Sequence, residues 1–220
     1  MSFYVLTHPS AETSTAPLSV RDLTCIRDDR ILFEGLSFEL TNGELLQIEG
    51  PNGAGKTSLL RLLCGLGWAE EGQILWEGLD IRRNYLEYMV DMAYVGHIAG
   101  ISGDLSVTEN LVLSQRLRHH TNAMAVEQAI AEVGLAGFAD NRVRTLSAGQ
   151  TRRVALARML LSAARLWILD EPFTALDKQG RMLVQRLLNN HASQGGLAIV
   201  STHHSLLLDS RIRLRQLRLG

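Results

Sequence analysis

The sequence lacks several features that would place it in other classes of protein. It has no run of eighteen or more uncharged apolar residues, so no segment is expected to cross a membrane. It has no basic excess either, because the net charge is −1, which argues against nucleic-acid binding. Its only two cysteines, Cys25 and Cys64, are in no metal-binding spacing, and unpaired thiols suit a reducing compartment. The start of the chain has no basic segment followed by an apolar run, so no secretory signal is expected.

What is present predicts an α/β fold. The chain has 220 residues, of which 46% are apolar, and this is enough for a sizeable core. The apolar runs 166–169 and 197–200 are typical of buried parallel strands separated by helices. Partly alternating runs at 18–26 and 36–40 predict an antiparallel β layer. The pattern from 84 to about 160 is mostly helical.

The two ends of the chain have their own patterns. Residues 7–17 are rich in Ser, Thr, Ala and Pro, so residues 1–17 are interpreted as a flexible extension. Residues 211–219 alternate charged and apolar side chains, which favours an edge strand with one solvated face. Contact of this basic segment with lipid headgroups or a partner is the alternative.

The most specific motif is Gly50-Pro-Asn-Gly-Ala-Gly-Lys-Thr57, which fits the phosphate-loop pattern G-x-x-x-x-G-K-[ST]. It lies between an apolar run and a helical pattern, a setting that a glycine-rich turn matching by chance would lack. Backbone N–H groups of such a loop cradle phosphates, Lys56 would reach the β- and γ-phosphates, and Thr57 would hold Mg²⁺. The predicted ATP-binding residues are Gly50, Pro51, Asn52, Gly53, Ala54, Gly55, Lys56, Thr57 and Ser58.

A second motif places two carboxylates at the end of an apolar strand. In Leu166-Trp-Ile-Leu-Asp-Glu171, Asp170 is assigned to Mg²⁺ through water, and Glu171 to polarising the attacking water. A helix-capping Asp-Glu pair is the alternative. It is weakened by the pentapeptide Leu146-Ser-Ala-Gly-Gln150 upstream, where Ser147 is a good N-cap for a helix to about Ser162.

Together these motifs resemble those of the ATP-binding subunits of ABC transporters. That family carries the phosphate loop, then LSGGQ, then an apolar run ending in Asp-Glu, then Thr-His, which here is Thr202-His203. The resemblance covers nearly the whole chain after Leu18. It implies an ABC-type P-loop NTPase over residues 18–220, with a RecA-like α/β core, an antiparallel β layer and a helical lobe at about 84–160.

The resemblance also implies roles for single residues. The signature Leu146, Ser147, Ala148, Gly149 and Gln150 would act on a γ-phosphate held by a second copy, so a homodimer is expected. Lys56, Glu171 and His203 would be catalytic. His204 is the neighbouring alternative to His203. The segment Thr174-Ala-Leu-Asp177, which ends at Asp177, looks like the family's D-loop.

Three positions depart from the family pattern. The segment Tyr94-Val-Gly-His97 puts His97 where the glutamine joining the two lobes is usual, and imidazole changes charge near neutral pH. Arg27 lies near the expected place of the aromatic residue that stacks on adenine. It could stack as a cation, or the base is held weakly. Ala148 replaces the first glycine of the signature, where a methyl group is tolerable.

Further segments resemble the ATP-binding subunit of the haem exporter of bacterial cytochrome c maturation (system I). They include Leu32-Phe-Glu-Gly-Leu-Ser-Phe38, Ile74-Leu-Trp76 and, as a partial match, Gly96–Ile101. This resemblance implies ATP and Mg²⁺ as cofactors, integral membrane subunits of the haem-maturation complex as partners, and a place at the cytoplasmic face of the inner membrane. The work would be tied to releasing the haem-loaded periplasmic chaperone.

No haem ligand is identified in this sequence, because it has no Cys-x-x-Cys-His motif, and His119-His120 suits a solvated loop. Three other functions stay open at this point. They are an ABC transporter subunit for another substrate, a non-transport ABC ATPase of DNA or ribosomes, and a nucleotide-gated regulator. The single cassette and the short interval between the phosphate loop and the signature argue against an ATPase of DNA or ribosomes. The presence of Glu171 and His203 argues against a regulator that does not hydrolyse the nucleotide.

Overall fold

The computed structural model describes residues 16–117 and 123–220. The strands in these ranges are β1 (Leu18–Arg27), β2 (Arg30–Leu40), β3 (Glu44–Glu49), β4 (Glu71–Trp76), β5 (Leu79–Asp80), β6 (Met92–Val95), β7 (Leu166–Asp170), β8 (Leu197–Ser201) and β9 (Arg213–Arg218). The α-helices are α1 (Lys56–Leu63), α2 (Tyr85–Asp91), α3 (Val107–Leu117), α4 (Ala123–Glu132), α5 (Ala148–Leu160) and α6 (Lys178–Ser193).

A parallel five-stranded sheet in the order β6-β7-β8-β3-β9 forms the centre of the fold. Every residue of β7 and β8 is buried, as expected for parallel strands covered on both faces. Along β7, Trp167 and Leu169 join one hydrophobic cluster, whereas Leu166 and Ile168 join the other. This alternation follows from the two-residue period of a strand, and it places a separate core on each face of the sheet.

An antiparallel sheet in the order β2-β1-β4-β5 shares one of these cores with α1. The antiparallel layer predicted from the sequence is therefore confirmed, and its strands extend further towards Arg27 and Arg30 than the pattern indicated. The turn at Asn42-Gly43 carries the chain from β2 in this sheet to β3 in the parallel sheet. The other core is covered by α3 to α6.

The segment from 84 to about 160 is mostly helical, as predicted, except for one strand. Residues 92–95 form β6, which pairs in parallel with β7 as part of the central sheet. Four apolar residues after a seven-residue helix are too few for periodicity to separate strand from helix. The helices α3, α4 and α5 beyond β6 pack on one another, and the division into two lobes stays a prediction.

The predictions for the chain ends are partly corrected. Ala16 is only 7% exposed, and the Pro17 carbonyl accepts a hydrogen bond from the Glu77 N–H at 2.7 Å, so these two residues belong to the fold. The rest of the predicted extension, residues 1–15, lies outside the described residues, as does the pair His119-His120. The predicted edge strand at the C-terminal end is confirmed as β9, which pairs with β3. Within the described ranges, no helix has the length and apolar character needed to span a membrane.

Candidate functional site

The phosphate loop connects the end of β3 to the start of α1. Gly55 is the N-cap of α1 with a φ of 94°, a conformation that a Cβ would strain. A Cβ at Gly50 would lie 2.3 Å from the Leu219 carbonyl oxygen, so the close approach of the chain just after β9 also requires glycine there. The buried Lys56 Nζ donates hydrogen bonds to the carbonyl oxygens of Gly50 at 2.7 Å and Pro51 at 3.1 Å. The loop thus wraps around a cation at the positive end of a helix, which is a suitable setting for a polyphosphate.

A buried carboxylate at the end of β7 faces the first turn of α1. Asp170 is 2% exposed, and its Oδ2 accepts a hydrogen bond from the Thr57 hydroxyl at 2.9 Å. Its Oδ1 accepts one from the Ser201 hydroxyl at 2.6 Å. Hydroxyl and carboxylate oxygens this close together are the ligands that Mg²⁺ prefers, so the residues present fit this ion.

Glu171 follows directly and has an unusual backbone. Its φ of 46° lies in the left-handed region, which costs a residue with a side chain on the order of 1–3 kcal/mol unless the surroundings enforce it. Its N–H donates to the carbonyl and the hydroxyl oxygen of Ser201, at 3.1 and 3.0 Å. The side chain is 27% exposed, so the carboxylate reaches solvent while the main chain is held.

The two neighbouring histidines after β8 lie in different surroundings. His203 Nε2 is 3.9 Å from Glu171 Oε1. The His204 ring instead packs edge-on against Phe173, with 5.4 Å between ring centroids. The position of His203 beside Glu171 favours it over His204 for a role near a reacting phosphate.

A cavity of about 340 Å³ joins the phosphate loop to Asp170 and Glu171, and His203 is not among the residues that line it. Its lining residues are Arg27, Leu32, Asn52, Gly53, Gly55, Lys56, Thr57, Ser58, Asp170 and Glu171. The phosphate loop and the two carboxylates are thus brought together as the sequence predicted. Arg27 also lines the cavity, with a side chain that is 67% exposed. The described residues that line the cavity include no aromatic side chain.

The signature forms the start of α5. The Ser147 Oγ accepts a hydrogen bond from the Gln150 N–H at 3.2 Å, and the Gln150 Oε1 accepts one from the Ser147 N–H at 2.9 Å, forming a capping box. Ala148 is exposed, so its methyl group has room. A Cβ at Gly149 would lie 2.8 Å from the Ala175 carbonyl oxygen. Of the two positions that are glycine in the family's LSGGQ, packing therefore requires glycine only at 149. None of the described residues lining the cavity belongs to the signature.

Asp177 connects the D-loop segment to two helices. Its Oδ1 accepts the Gly180 N–H at 2.7 Å, which caps α6, and lies 3.1 Å from Arg153 on α5. The hydrogen bond from Gly180, followed by the charge of Arg153, holds the pKa of Asp177 below its ordinary value.

His97 lies in the exposed loop after β6.

Two residues of this site were not predicted. Ser201 contacts both Asp170 and Glu171, and its place at the end of a buried parallel strand could have identified it, because such strand ends meet at one edge of the sheet. Arg152 is buried on α5 and donates to the carbonyl oxygens of Asp170 and Glu171. Nothing in the sequence distinguishes it from the exposed charges expected on a helix.

Comparison with known proteins adds to this geometry. The family model described as ABC transporter matches residues 33–174. The cytochrome c biogenesis ATP-binding export protein of Aliivibrio fischeri is 50% identical over 203 residues, which cover 92% of this chain and 99% of that protein. The protein of the same name from Yersinia pestis is 52% identical over 189 residues, which cover 86% and 87%.

Solved structures agree with the fold. An ABC transporter ATP-binding protein from Pyrococcus furiosus superposes with a TM-score of 0.79 at 25% identity, over 92% of this chain and 96% of that chain. An ATP-binding subunit of an ABC transporter gives a TM-score of 0.80 at 23% identity, over 93% and 88%. The predicted ABC-type P-loop fold is confirmed.

Proposed function

Because this chain belongs to the cytochrome c biogenesis ATP-binding export proteins of the ABC transporter family, we propose that it hydrolyses ATP for a membrane complex that exports or delivers haem. The observation that carries the proposal is the meeting of Lys56, Thr57, Asp170 and Glu171 around one cavity at the end of the parallel sheet. A phosphate cradle, an ion site and a general base are the parts that phosphoryl transfer to water needs.

The residues divide the work of hydrolysis among them. The loop N–H groups and Lys56 hold the β- and γ-phosphates, which neutralises the charge that develops on them. Thr57 and Asp170 would hold Mg²⁺, which supplies further positive charge next to the phosphate oxygens. Glu171 accepts a hydrogen bond from the attacking water and aligns it with the γ-phosphorus. His203, beside Glu171, contacts the γ-phosphate.

The second half of the site comes from another copy of the chain. Ser147 and Ala148 at the start of α5 are exposed, and a helix N-terminus attracts anions. A head-to-tail homodimer would place this start of α5 over the γ-phosphate held by the partner's loop. Such an arrangement gives two ATP sites per dimer.

Integral membrane subunits of the haem-maturation complex are the proposed partners, with this chain peripheral at the cytoplasmic face of the bacterial inner membrane. Closing and opening of the dimer would drive these subunits to release a haem-loaded periplasmic chaperone. The family membership supports this assignment.

Haem staining of c-type cytochromes tests the function as a whole. A strain lacking this chain is expected to lose covalently attached haem, and the wild-type gene is expected to restore it. Lys56→Ala, produced at equal level, is expected to fail. Normal staining in the deletion strain would exclude the cytochrome assignment and would indicate an ABC ATPase for another substrate.

His97→Gln is expected to separate hydrolysis from coupling. The side chain is exposed in a loop whose first carbonyl, at Gly96, is held by α5, so the change leaves the catalytic groups in place. The basal ATPase rate should stay within about threefold, whereas stimulation by the membrane subunits should change, because this loop is the expected lobe junction. Phosphate release is measured with and without the membrane subunits. If neither rate differs from wild type, the role of His97 is wrong.

A further inference from the structure

Arg152 is a buried cation that the proposed mechanism does not use. It is the fifth residue of α5 and is 6% exposed. Burial lowers its pKa, but an arginine remains protonated at neutral pH. A buried charge usually has a carboxylate hydrogen-bonded to it. The guanidinium of Arg152 donates instead to three main-chain carbonyl oxygens.

Those carbonyls belong to two segments that are far apart in the sequence. Nη1 donates to the Gly96 oxygen at 2.5 Å. Nη2 donates to the oxygens of Asp170 at 2.6 Å and Glu171 at 3.0 Å. One side chain therefore joins the signature helix, the loop that carries His97, and the end of β7. The planar fork of an arginine can make these contacts together, and the single ammonium of a lysine cannot.

The two carbonyls at the end of β7 flank the Cα atom of Glu171. Its backbone is in the left-handed region, which a residue with a side chain rarely adopts. Ser201 holds the Glu171 N–H from the other side. Both peptide groups around Glu171 are thus held by side chains, which fixes the direction in which its side chain leaves the main chain.

The Nε of Arg152 is a buried nitrogen without a hydrogen-bond partner in the part of the chain that the structure describes. A buried cation with an unpaired donor is an unfavourable way to fill space, because an apolar side chain would avoid both penalties. Exceptions to the rule that buried charges and donors are fully paired occur mainly at functional sites. The contacts of Arg152 therefore indicate a role in geometry.

We propose that Arg152 is a positioning residue for hydrolysis, whose guanidinium fixes the main chain of Glu171 so that the carboxylate faces the attacking water. The proposal rests on the proposed function, in which Glu171 acts on that water. Because α5 begins at Ser147 and the same guanidinium holds Gly96, it also ties the Glu171 backbone to the signature and to the His97 loop.

A double-mutant cycle in the full chain tests the proposal. The variants are Arg152→Lys, Glu171→Gln and the two combined, and single-turnover assays with labelled ATP measure the slow ones. Arg152→Lys alone is expected to lower kcat about tenfold with KM for MgATP within about twofold, because a misdirected base costs rate more than binding. On Glu171→Gln, adding Arg152→Lys is expected to change the residual rate by less than about twofold.

Arg158→Lys is the matched control. Arg158 lies on the same helix and donates to the carbonyl oxygens of Gly100 at 2.6 Å and Ala99 at 3.1 Å in the same loop, but to neither carbonyl beside Glu171. Its kcat is expected to stay within about twofold of wild type. An equal loss in Arg158→Lys would assign the effect to the loop and overturn the proposal.

The other outcomes are equally decisive. A tenfold loss that persists on Glu171→Gln means a general structural role and overturns the proposal, as does a normal kcat for Arg152→Lys. Folding is checked by the rise in melting temperature with MgATP. If Arg152→Lys lacks this rise, Arg152→Gln replaces it, and failure of both means a folding role and also overturns the proposal. A normal rate for Glu171→Gln itself would instead refute the proposed function.

Discussion

Glu171→Gln is expected to lower the ATPase kcat by about 10²-fold or more, because a positioned general base contributes about 10² to 10⁴ in rate. The amide keeps the size of the side chain but cannot accept a proton from water. The strained backbone is held by Ser201 and Arg152 through main-chain atoms, so it should survive the change. ATP binding should stay within about threefold, since the phosphates are held elsewhere.

The measurements are phosphate release and equilibrium binding of a labelled nucleotide. Glu34→Gln is the control, because it removes a carboxylate from an exposed position of β2 and should leave both quantities unchanged. Steady-state hydrolysis at the normal rate in Glu171→Gln would show that the base has been assigned to the wrong residue.

Gly149→Ala is expected to have the second large effect. The added methyl group would lie 2.8 Å from the Ala175 carbonyl oxygen, so the signature turn or the D-loop must move. Ala175 already has a φ of 64°, which leaves its backbone few alternatives. Overpacking of this kind costs about 1–3 kcal/mol in stability. Because the shift falls on the signature, we expect kcat to fall about tenfold or more.

Gly137→Ala is its matched control. A Cβ at Gly137 meets no atom within 4 Å, and the residue is outside the left-handed region. Its melting temperature and ATPase rate should equal those of wild type. If Gly149→Ala matched Gly137→Ala in melting temperature and in ATPase rate, the packing of the signature against the D-loop would contribute neither to stability nor to hydrolysis.

The parts of the site predictable from sequence are those whose chemistry is local. The phosphate loop is specified by eight consecutive residues, since its glycines and Lys56 must follow one another to wrap an anion. Asp170 and Glu171 were predicted because, in a P-loop enzyme, a Mg²⁺ contact is expected from a carboxylate at the end of a buried strand. The helix starting after Ser147 was predicted because serine is a favoured N-cap residue, and the structure confirms the cap.

The parts that were missed depend on contacts between distant segments. The strand at 92–95 is four residues long, and only its pairing with β7 distinguishes it from the helix before it. Ser201 and Arg152 acquire roles because β8 and α5 meet the end of β7, with partners 31 and 18 residues away. Burial of Arg152 opposes the usual preference of charged side chains for solvent, so no local pattern could predict it.

The mass of Glu171→Gln in MgATP, measured by light scattering, tests most directly the claim that ATP is bound between two copies of the chain. We expect a dimer with MgATP and a monomer without it. Adding Ser147→Arg to Glu171→Gln should leave a monomer that still binds ATP, because the new side chain blocks the start of α5 and leaves the phosphate loop intact. A Glu171→Gln chain that stays monomeric with ATP bound, or a Ser147→Arg chain that dimerises equally well, would contradict the shared site.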